Sequence, residues 1–227
     1  MQLNASGATV SLASMLVPQK ARSAFEQADK VLTQHNLEEA QNELNKSISI
    51  YPKFGVAWRL MGVLHEEQLQ LDEAFADYSQ ALGVDSKVLA AYLGLARIAF
   101  REQKWQDVGR FTDQLLKLNP FPYPAAHLYN AAANFNLGNF AAAEKSTRRF
   151  QSLDKEHERP QVYLLLGDIL ASEHKYLGAT EQKRIFLTIV PNAYDASDIK
   201  EQIRILEDLG KGHGDDHMRR NHKPEAY

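Results

Sequence analysis

The sequence has no cysteine among its 227 residues. Disulfide frameworks, thiolate catalysis and cysteine-ligated zinc are therefore all excluded. Hydrophobic residues make up 44% of the chain, which is the ordinary share for a globular protein. We therefore expect the chain to fold around a hydrophobic core, without help from a metal or a disulfide.

The chain also lacks an excess of either charge and any long apolar run. It has 26 Lys and Arg against 29 Asp and Glu, a net charge of -3, which gives no bulk attraction for nucleic acid or an anionic membrane. No apolar run approaches the roughly 18 to 20 residues of a membrane span. The stretch from Met1 to Met15 has neither the basic start nor the compact apolar centre of a signal peptide. We expect a soluble chain that binds no nucleic acid and spans no membrane.

Catalytic and nucleotide-binding motifs are missing as well. There is no Gly-x-Ser-x-Gly elbow, and no carboxylate pair is distinguished from the charged helix faces. Residues 210–214, Gly-Lys-Gly-His-Gly, resemble a phosphate loop, but no strand pattern precedes them and no helix pattern follows. The sequence predicts no enzymatic activity and no cofactor.

Two groups of histidines have side chains that could serve as metal ligands. His65-Glu66-Glu67 begins like a zinc-protease motif, but Leu69 stands where the second histidine would have to be. We therefore expect His65 to pack inside a helix. His213, His217 and His222 could together hold a metal ion in a flexible tail, although a solvated tail is the simpler interpretation. No metal site is assigned.

What the sequence does have is an internal repeat. Five similar segments begin at Asn36, Gln70, Lys104, Asn139 and Lys175, a spacing of about 34 to 36 residues. Each segment has a polar residue, a large apolar residue, two spacers and then a small residue. Within each unit, apolar and small residues recur at the spacing of two amphipathic helices. One such unit cannot bury its apolar side alone, so the pattern predicts a stack of helix pairs.

The repeats resemble the tetratricopeptide repeat family, which has a bulky residue at position 4, Leu at 7, small residues at 8 and 20, and Pro at 32. The second repeat matches best, with Trp58, Met61, Gly62, Ala74, Tyr78 and Ala81 at positions 4, 7, 8, 20, 24 and 27. The fifth repeat carries Tyr163, Leu166, Gly167, Ala179 and Pro191, whereas the fourth departs most from the pattern. The resemblance implies an all-α fold: a right-handed α-α superhelix, or TPR solenoid, of five helix-turn-helix repeats plus a C-terminal capping helix.

The same alignment predicts the organisation of the chain. We expect a flexible leader at 1–16, a solenoid at 17–209 and a disordered polar tail at 210–227; the repeats lie at about 21–54, 55–88, 89–123, 124–159 and 160–194, with the capping helix at 195–209. Longer joints are expected near residues 121 and 155. Asn36 with Glu39, and Asn139, are predicted to cap second helices. Pro52, Pro120 and Pro191 are predicted to end them.

The resemblance also implies a binding surface, because the first helices of successive repeats in this family line a concave groove. The expected groove residues are Arg59, Val63, Leu93, Arg97, Phe100, Arg101, Leu128, Phe135 and Leu164. This mixture suits another protein or a peptide with a carboxylate and apolar side chains. The alternative is that the large residues only pack between neighbouring helices. The Lys, Asn, Asn, Lys, Arg set with which some members clamp a terminal carboxylate is absent.

Two further hypotheses concern assembly and location. The solenoid could instead be a structural subunit that self-associates or joins a multiprotein assembly through its convex or terminal faces. The short leader followed by Leu16 to Arg22 resembles exported bacterial members of the family, which favours a periplasmic or secreted location over a cytoplasmic one.

Overall fold

The computed structural model describes residues 16–119 and 123–220, with side chains as far as Lys211. All regular secondary structure in these ranges is helical. The helices are α1 (Gln19–Leu32), α2 (Leu37–Ile50), α3 (Gly55–Glu67), α4 (Leu71–Val84), α5 (Leu89–Arg101), α6 (Trp105–Leu118), α7 (Pro124–Asn136), α8 (Phe140–Leu153), α9 (Gln161–Ser172), α10 (Tyr176–Ile189) and α11 (Ala196–Arg220).

The helices pair as the repeat predicts. Helix α1 packs on α2, α3 on α4, α5 on α6 and α9 on α10. First helices of neighbouring repeats also touch, since α3 contacts both α1 and α5. The prediction of an all-α fold built from helix-turn-helix repeats and a closing helix is confirmed. By its internal contacts the chain divides into unit 1, residues 1–129, and unit 2, residues 130–227.

Each unit has its own apolar core. In unit 1, small residues of α1, α2 and α3 let the helices approach: Ala21, Ala28, Ala40 and Ala57 are buried together with Leu44, Leu60 and Leu64. The rings of Phe25 and Phe54 meet at 5.2 Å between centroids. In unit 2, Leu166 and Leu170 of α9 and Ala179 of α10 bury Leu206 of α11. Helix α11 therefore covers the apolar side of α10, as expected of a capping helix.

The small residue at position 8 sets how much space position 24 can fill. Gly62 lies against the ring of Tyr78, and a Cβ added at Gly62 would meet that ring at 2.8 Å. Gly167 likewise lies against Lys183, whose Cγ would be 3.0 Å from an added Cβ. The glycines therefore admit a long side chain at position 24, where the described first, third and fourth repeats have Leu44, Thr112 and Thr147.

The turn inside each repeat uses a left-handed residue two positions before the second helix. These residues are His35, Leu69, Gln103, Gly138 and His174, with φ of 58, 62, 55, 76 and 60°. Only one of the five is glycine, the residue that adopts this conformation without steric cost. The turn geometry is thus kept by the packing of the helices and not by the local residue.

Caps and helix ends follow the sequence in part. The Asn36 side chain accepts a hydrogen bond from the Glu39 amide (3.4 Å) and donates one to the Glu39 carboxylate (2.7 Å), so the predicted cap is confirmed. Asn139 makes no side-chain cap, because its amide group donates to Asn134 Oδ1. Helices α2, α6 and α10 each end two residues before a proline, since the residue preceding proline disfavours the helical conformation.

The C-terminal helix differs from its prediction. It runs from Ala196 to Arg220, whereas the sequence predicted a helix at 195–209 and a disordered tail from 210. The glycines at 210, 212 and 214 suggested a break, but each costs only about 1 kcal/mol in a helix and no proline intervenes before Pro224. Residues 1–15 of the predicted leader and residues 221–227 of the tail lie outside the described residues.

Candidate functional site

The predicted groove residues of unit 1 lie on three first helices. Val63, Leu93, Phe100 and Leu128 are half-buried, with part of each side chain left open to solvent. Arg101, at the end of α5, is exposed. The apolar members are thus neither fully buried in the core nor freely solvated.

Phe100 has aromatic neighbours that were not predicted for the site. Its ring lies 5.4 Å from Trp105 at the start of α6 and 5.1 Å from Tyr129 on α7, measured between centroids. Both rings are tilted against Phe100, in the edge-to-face range that aromatic pairs prefer. These contacts hold the Phe100 ring in place, and part of the ring stays exposed to solvent.

Arg97 is already engaged within the protein. Its Nε donates to Glu66 Oε1 at 2.9 Å, and its Nη2 donates to Glu66 Oε2 and, at 3.3 Å, to the hydroxyl of Tyr78. The Tyr78 hydroxyl in turn donates to Glu66 Oε2 at 2.6 Å. This cluster of Glu66, Tyr78 and Arg97 links the second repeat to the third. The guanidinium of Arg97 therefore has an internal carboxylate, and the forked geometry is the strong one for this pair.

The pKa values in the cluster follow from its burial and charge. Burial alone would raise the pKa of Glu66, but the hydrogen bonds from Arg97 and Tyr78 outweigh it and hold that pKa below its usual value. Burial, reinforced by the bond to Glu66, raises the pKa of Tyr78. The bond to Glu66 raises the pKa of Arg97. The cluster is accordingly one carboxylate and one guanidinium, with a neutral phenol between them.

Arg59 differs from Arg97. It is half-buried on α3, and among the described residues no hydrogen bond or ion pair engages its guanidinium. Burial lowers its pKa, although Tyr78, Asp29 and Tyr123 act electrostatically in the opposite direction. Tyr78 belongs to α4 and Asp29 to α1, and Tyr123 directly precedes α7. Arg59 thus lies where several elements of unit 1 converge.

His65 takes the packed position that its helix predicts. Its Nδ1 lies 2.6 Å from Asp77 Oδ2, and both side chains are mostly buried. Burial raises the pKa of Asp77 in spite of the hydrogen bond from His65. Within the described residues, no group of three His, Asp or Glu side chains is placed to hold a metal ion. The side chains of the three tail histidines lie outside that range.

The predicted groove residues of unit 2 are Phe135 and Leu164, and both are half-buried. The Phe135 ring packs 5.9 Å from Phe140, across the turn between α7 and α8. On α9, Asp168 accepts a hydrogen bond from the buried Lys183 at 2.5 Å, and Gln202 of α11 accepts a second from the same ammonium at 2.9 Å. The ammonium of Lys183 therefore links α9 and α10 to the capping helix.

The partner of Arg97 was not predicted from the sequence. Glu66 stands at position 12 of the second repeat and Arg97 at position 9 of the third, and these positions meet where α3 touches α5. Opposite charges at those two positions of consecutive repeats were the available signal. The contribution of Trp105 and Tyr129 to the surface had no such signal, because neither occupies an expected groove position.

Solved structures of similar fold include helical repeat proteins. One is the crystal structure of YrrB, a TPR protein with an unusual peptide-binding site, which superposes with a TM-score of 0.70 at 16% sequence identity. The matched region covers 80% of this chain and 92% of YrrB. PilF of Pseudomonas aeruginosa gives a TM-score of 0.63 at 16% identity, covering 83% of this chain and 92% of its own. PilW, a type IV pilus biogenesis factor, gives 0.64 at 14% identity, covering 85% and 91%.

These findings define a class of helix-turn-helix repeat protein. More particularly, the chain has the tetratricopeptide-repeat fold. No protein-family model and no curated protein matches its sequence. None of the helices in the described part of the chain combines the length and the apolar character that a membrane crossing needs.

Proposed function

We propose that the protein is a non-enzymatic interaction module whose unit 1 binds a segment of a partner protein. The binding surface, here called the Arg59 surface, consists of residues on α3 and α5: Arg59, Val63, Leu93 and Phe100. The observation that carries the proposal is the partial exposure of its three apolar side chains beside a guanidinium without an ion pair. Apolar anchors next to an arginine are typical of residues that dominate interface energy.

The neighbours in fold support an interaction role. YrrB is a TPR protein with a peptide-binding site, and PilW is a pilus biogenesis factor. Both are similar to this chain in fold alone, and a fold of this kind hosts unrelated partners. The proposal therefore rests on the chemistry of the Arg59 surface. Export to the periplasm or beyond stays a prediction of the sequence.

The test uses the full chain as bait for a random peptide library displayed on phage. We expect a recurrent sequence with large apolar residues. The affinity of a selected peptide should fall about tenfold or more in Leu93→Gln, which places an amide on the surface. Arg97 is not a suitable residue to replace in this test, since its loss would also leave the buried Glu66 without its charged partner.

The matched control is Leu118→Gln. Leu118 is 51% exposed at the end of α6, outside the Arg59 surface. The control should bind the peptide like the unaltered chain. No recurrent sequence, or an equal loss in both variants, would contradict the proposal.

A second candidate function is self-association through the end of unit 2. Leu177 is 76% exposed and Tyr194 fully exposed, and Ile205 and Leu209 lie exposed one turn apart on α11. A Cβ built on Gly210 would lie 3.6 Å from Leu177, so the α11 end and Leu177 adjoin. Apolar residues grouped in this way favour contact with a second copy of the chain.

Light scattering of the full chain tests this candidate. A concentration-dependent dimer should disappear in the double variant Leu177→Gln, Ile205→Gln. This variant is preferable to removing α11, which would uncover the buried Leu206. A chain that stays monomeric at every concentration would reject the candidate.

A further inference from the structure

The two half-buried arginines of unit 1, Arg59 and Arg97, differ in whether an acceptor meets the guanidinium. Arg97 has a bidentate carboxylate in Glu66, while Arg59 has no hydrogen-bonding or ion-pairing acceptor among the described residues. A guanidinium that is largely removed from water without a compensating anion is costly. An acceptor supplied by a bound partner would recover that cost.

The groups nearest Arg59 do not supply that acceptor. Asp29 is exposed on α1, and its carboxylate lies beyond ion-pair distance of Arg59. Tyr78 already donates its hydroxyl to Glu66. Burial still outweighs all three neighbours and lowers the pKa of Arg59. The Arg59 guanidinium would therefore be stabilised by a further negative charge.

We propose that Arg59 binds the carboxylate of an acidic side chain within the partner segment. The inference rests on the proposed function of the Arg59 surface and names the chemistry of its partner: an aspartate or glutamate flanked by large apolar residues. Arginine forms paired, charge-assisted hydrogen bonds with a carboxylate, and these are strengthened where water is partly excluded.

The position of Arg59 favours a side-chain carboxylate over a chain terminus. Arg59 lies on α3, the middle of the three first helices, and α1 and α5 flank it on both sides. Leu93 and Phe100 lie on α5, and Phe25 is half-buried on α1. A segment that uses apolar contacts on both flanks continues past Arg59 in both directions. Its carboxylate must then come from an internal residue.

The first test needs no partner. The Nε–Hε signal of Arg59, assigned by its loss in Arg59→Lys, is followed by nuclear magnetic resonance during titration with sodium acetate. Sodium chloride at equal ionic strength is the control. We expect a saturable shift of the Arg59 signal with acetate, and none for Arg97, whose Nε is bonded to Glu66. An Arg59 signal that ignores acetate, or follows chloride equally, overturns the proposal.

The second test uses the library-selected peptide in two forms, with its acidic residue intact or replaced by the matching amide. The amide should bind about tenfold or more weakly to the unaltered chain, because a charge-assisted bond is lost. On Arg59→Gln, the two forms should bind alike. Asp29→Asn should raise the affinity of the acidic form a few-fold, since a repelling charge is removed.

The outcomes separate this inference from the function on which it rests. Selected peptides that lack an acidic residue, or an amide form that binds equally well, would leave the Arg59 surface a binding site but overturn the role of Arg59. If no peptide is selected, the proposed function fails, and the acetate titration alone decides whether Arg59 is an anion site.

Discussion

The second and fifth repeats meet the same packing requirement with different chemistry. Each has a glycine at position 8, and each fills the space against it with a long side chain that ends in a polar group: Tyr78 and Lys183. These residues are 1% and 3% exposed. The phenol of Tyr78 is tied to the third repeat through Glu66 and Arg97, whereas the ammonium of Lys183 is tied to the capping helix through Gln202. In both, the polar tip joins its repeat to the next element.

The two repeats differ in how far the carboxylate that meets the polar tip, Glu66 or Asp168, is shielded from water. The side chain of Glu66 is 8% exposed, but that of Asp168, which pairs with Lys183, is 50% exposed. A carboxylate in contact with water can be replaced by water when it is lost, and a buried one cannot. The carboxylate beside the long side chain at position 24 is therefore more sensitive to change in unit 1 than in unit 2.

The largest expected effect comes from filling the space beside the two long side chains. In unit 1, Gly94→Ala would place a Cβ 2.5 Å from the ring of Tyr78, which already abuts Gly62 and cannot retreat. We expect a loss of about 3 kcal/mol in the free energy of unfolding, the upper range for overpacking. In unit 2, Gly167→Ala meets the flexible Cγ of Lys183 at 3.0 Å and should cost about 1 kcal/mol.

Urea denaturation followed by circular dichroism checks both variants. Gly109→Ala is the matched control, because Gly109 lies inside α6 with nothing within 4 Å of an added Cβ. That variant should stabilise the chain by up to about 1 kcal/mol, the difference in helix propensity between the two residues. If Gly167→Ala costs as much as Gly94→Ala, the contrast between a rigid ring and a flexible chain is wrong.

Replacing each carboxylate by its amide tests the shielding directly. Glu66→Gln should cost about 2 kcal/mol, since the forked bonds to Arg97 are broken in a buried place. Asp168→Asn should cost about 1 kcal/mol or less, because Lys183 keeps Gln202 and water reaches the site. Equal losses in thermal or urea unfolding would show that exposure does not set the difference.

The acid side of the stability profile offers a third contrast, between Glu66 in unit 1 and Glu144 in unit 2. Both have lowered pKa values in the folded chain. The Glu66 pKa is lowered by Arg97 and Tyr78 against the effect of burial, and that of Glu144 is held at about 2, chiefly by the hydrogen bond from Lys175. Each carboxylate therefore stabilises the fold above its ordinary pKa of 4.5, and this contribution is lost as the pH falls through the lowered folded value.

Salt distinguishes the two glutamates. Lys175 is 52% exposed, so added salt should weaken its pairing with Glu144 much more than that of Glu66 with Arg97. Unfolding measured from neutral pH to acid should be less pH-dependent in both Glu66→Gln and Glu144→Gln. At high ionic strength, only Glu66→Gln should still differ from the unaltered chain.

Much of the fold was predictable, because its signal is repeated. Five copies of one pattern locate the helix pairs to within a few residues, and a small residue at position 8 shows where paired helices approach. The extent of α11 was not predictable in this way. It has no second copy in the chain against which a pattern could be checked, and its glycines resemble a stop signal.

The candidate site was predicted less completely. Family position alone selects Arg59 and Arg97 as equivalent, because it records which way a side chain faces and not which charge it meets. Their difference arises from Glu66, a contact between consecutive repeats. Trp105 and Tyr129 enter the surface by packing on Phe100. Trp105 occupies the large apolar position that recurs in each repeat, but that position is not among the expected groove positions, and neither is that of Tyr129.

The smallest expected effect concerns the turns of the same two repeats. Leu69 and His174 hold the left-handed conformation at equivalent positions, with φ of 62° and 60°. Leu69 is 79% exposed, so Leu69→Gly removes backbone strain and little else. After the entropy that glycine adds to the unfolded chain is subtracted, we expect the free energy of unfolding to rise by roughly 0.5 kcal/mol.

His174→Gly should bring no gain in stability, because the bond between His174 Nδ1 and the Tyr176 hydroxyl at 2.7 Å is lost with the side chain. Urea midpoints of the two variants check the pair, and a gain in His174→Gly as large as in Leu69→Gly would show that this bond contributes no stability.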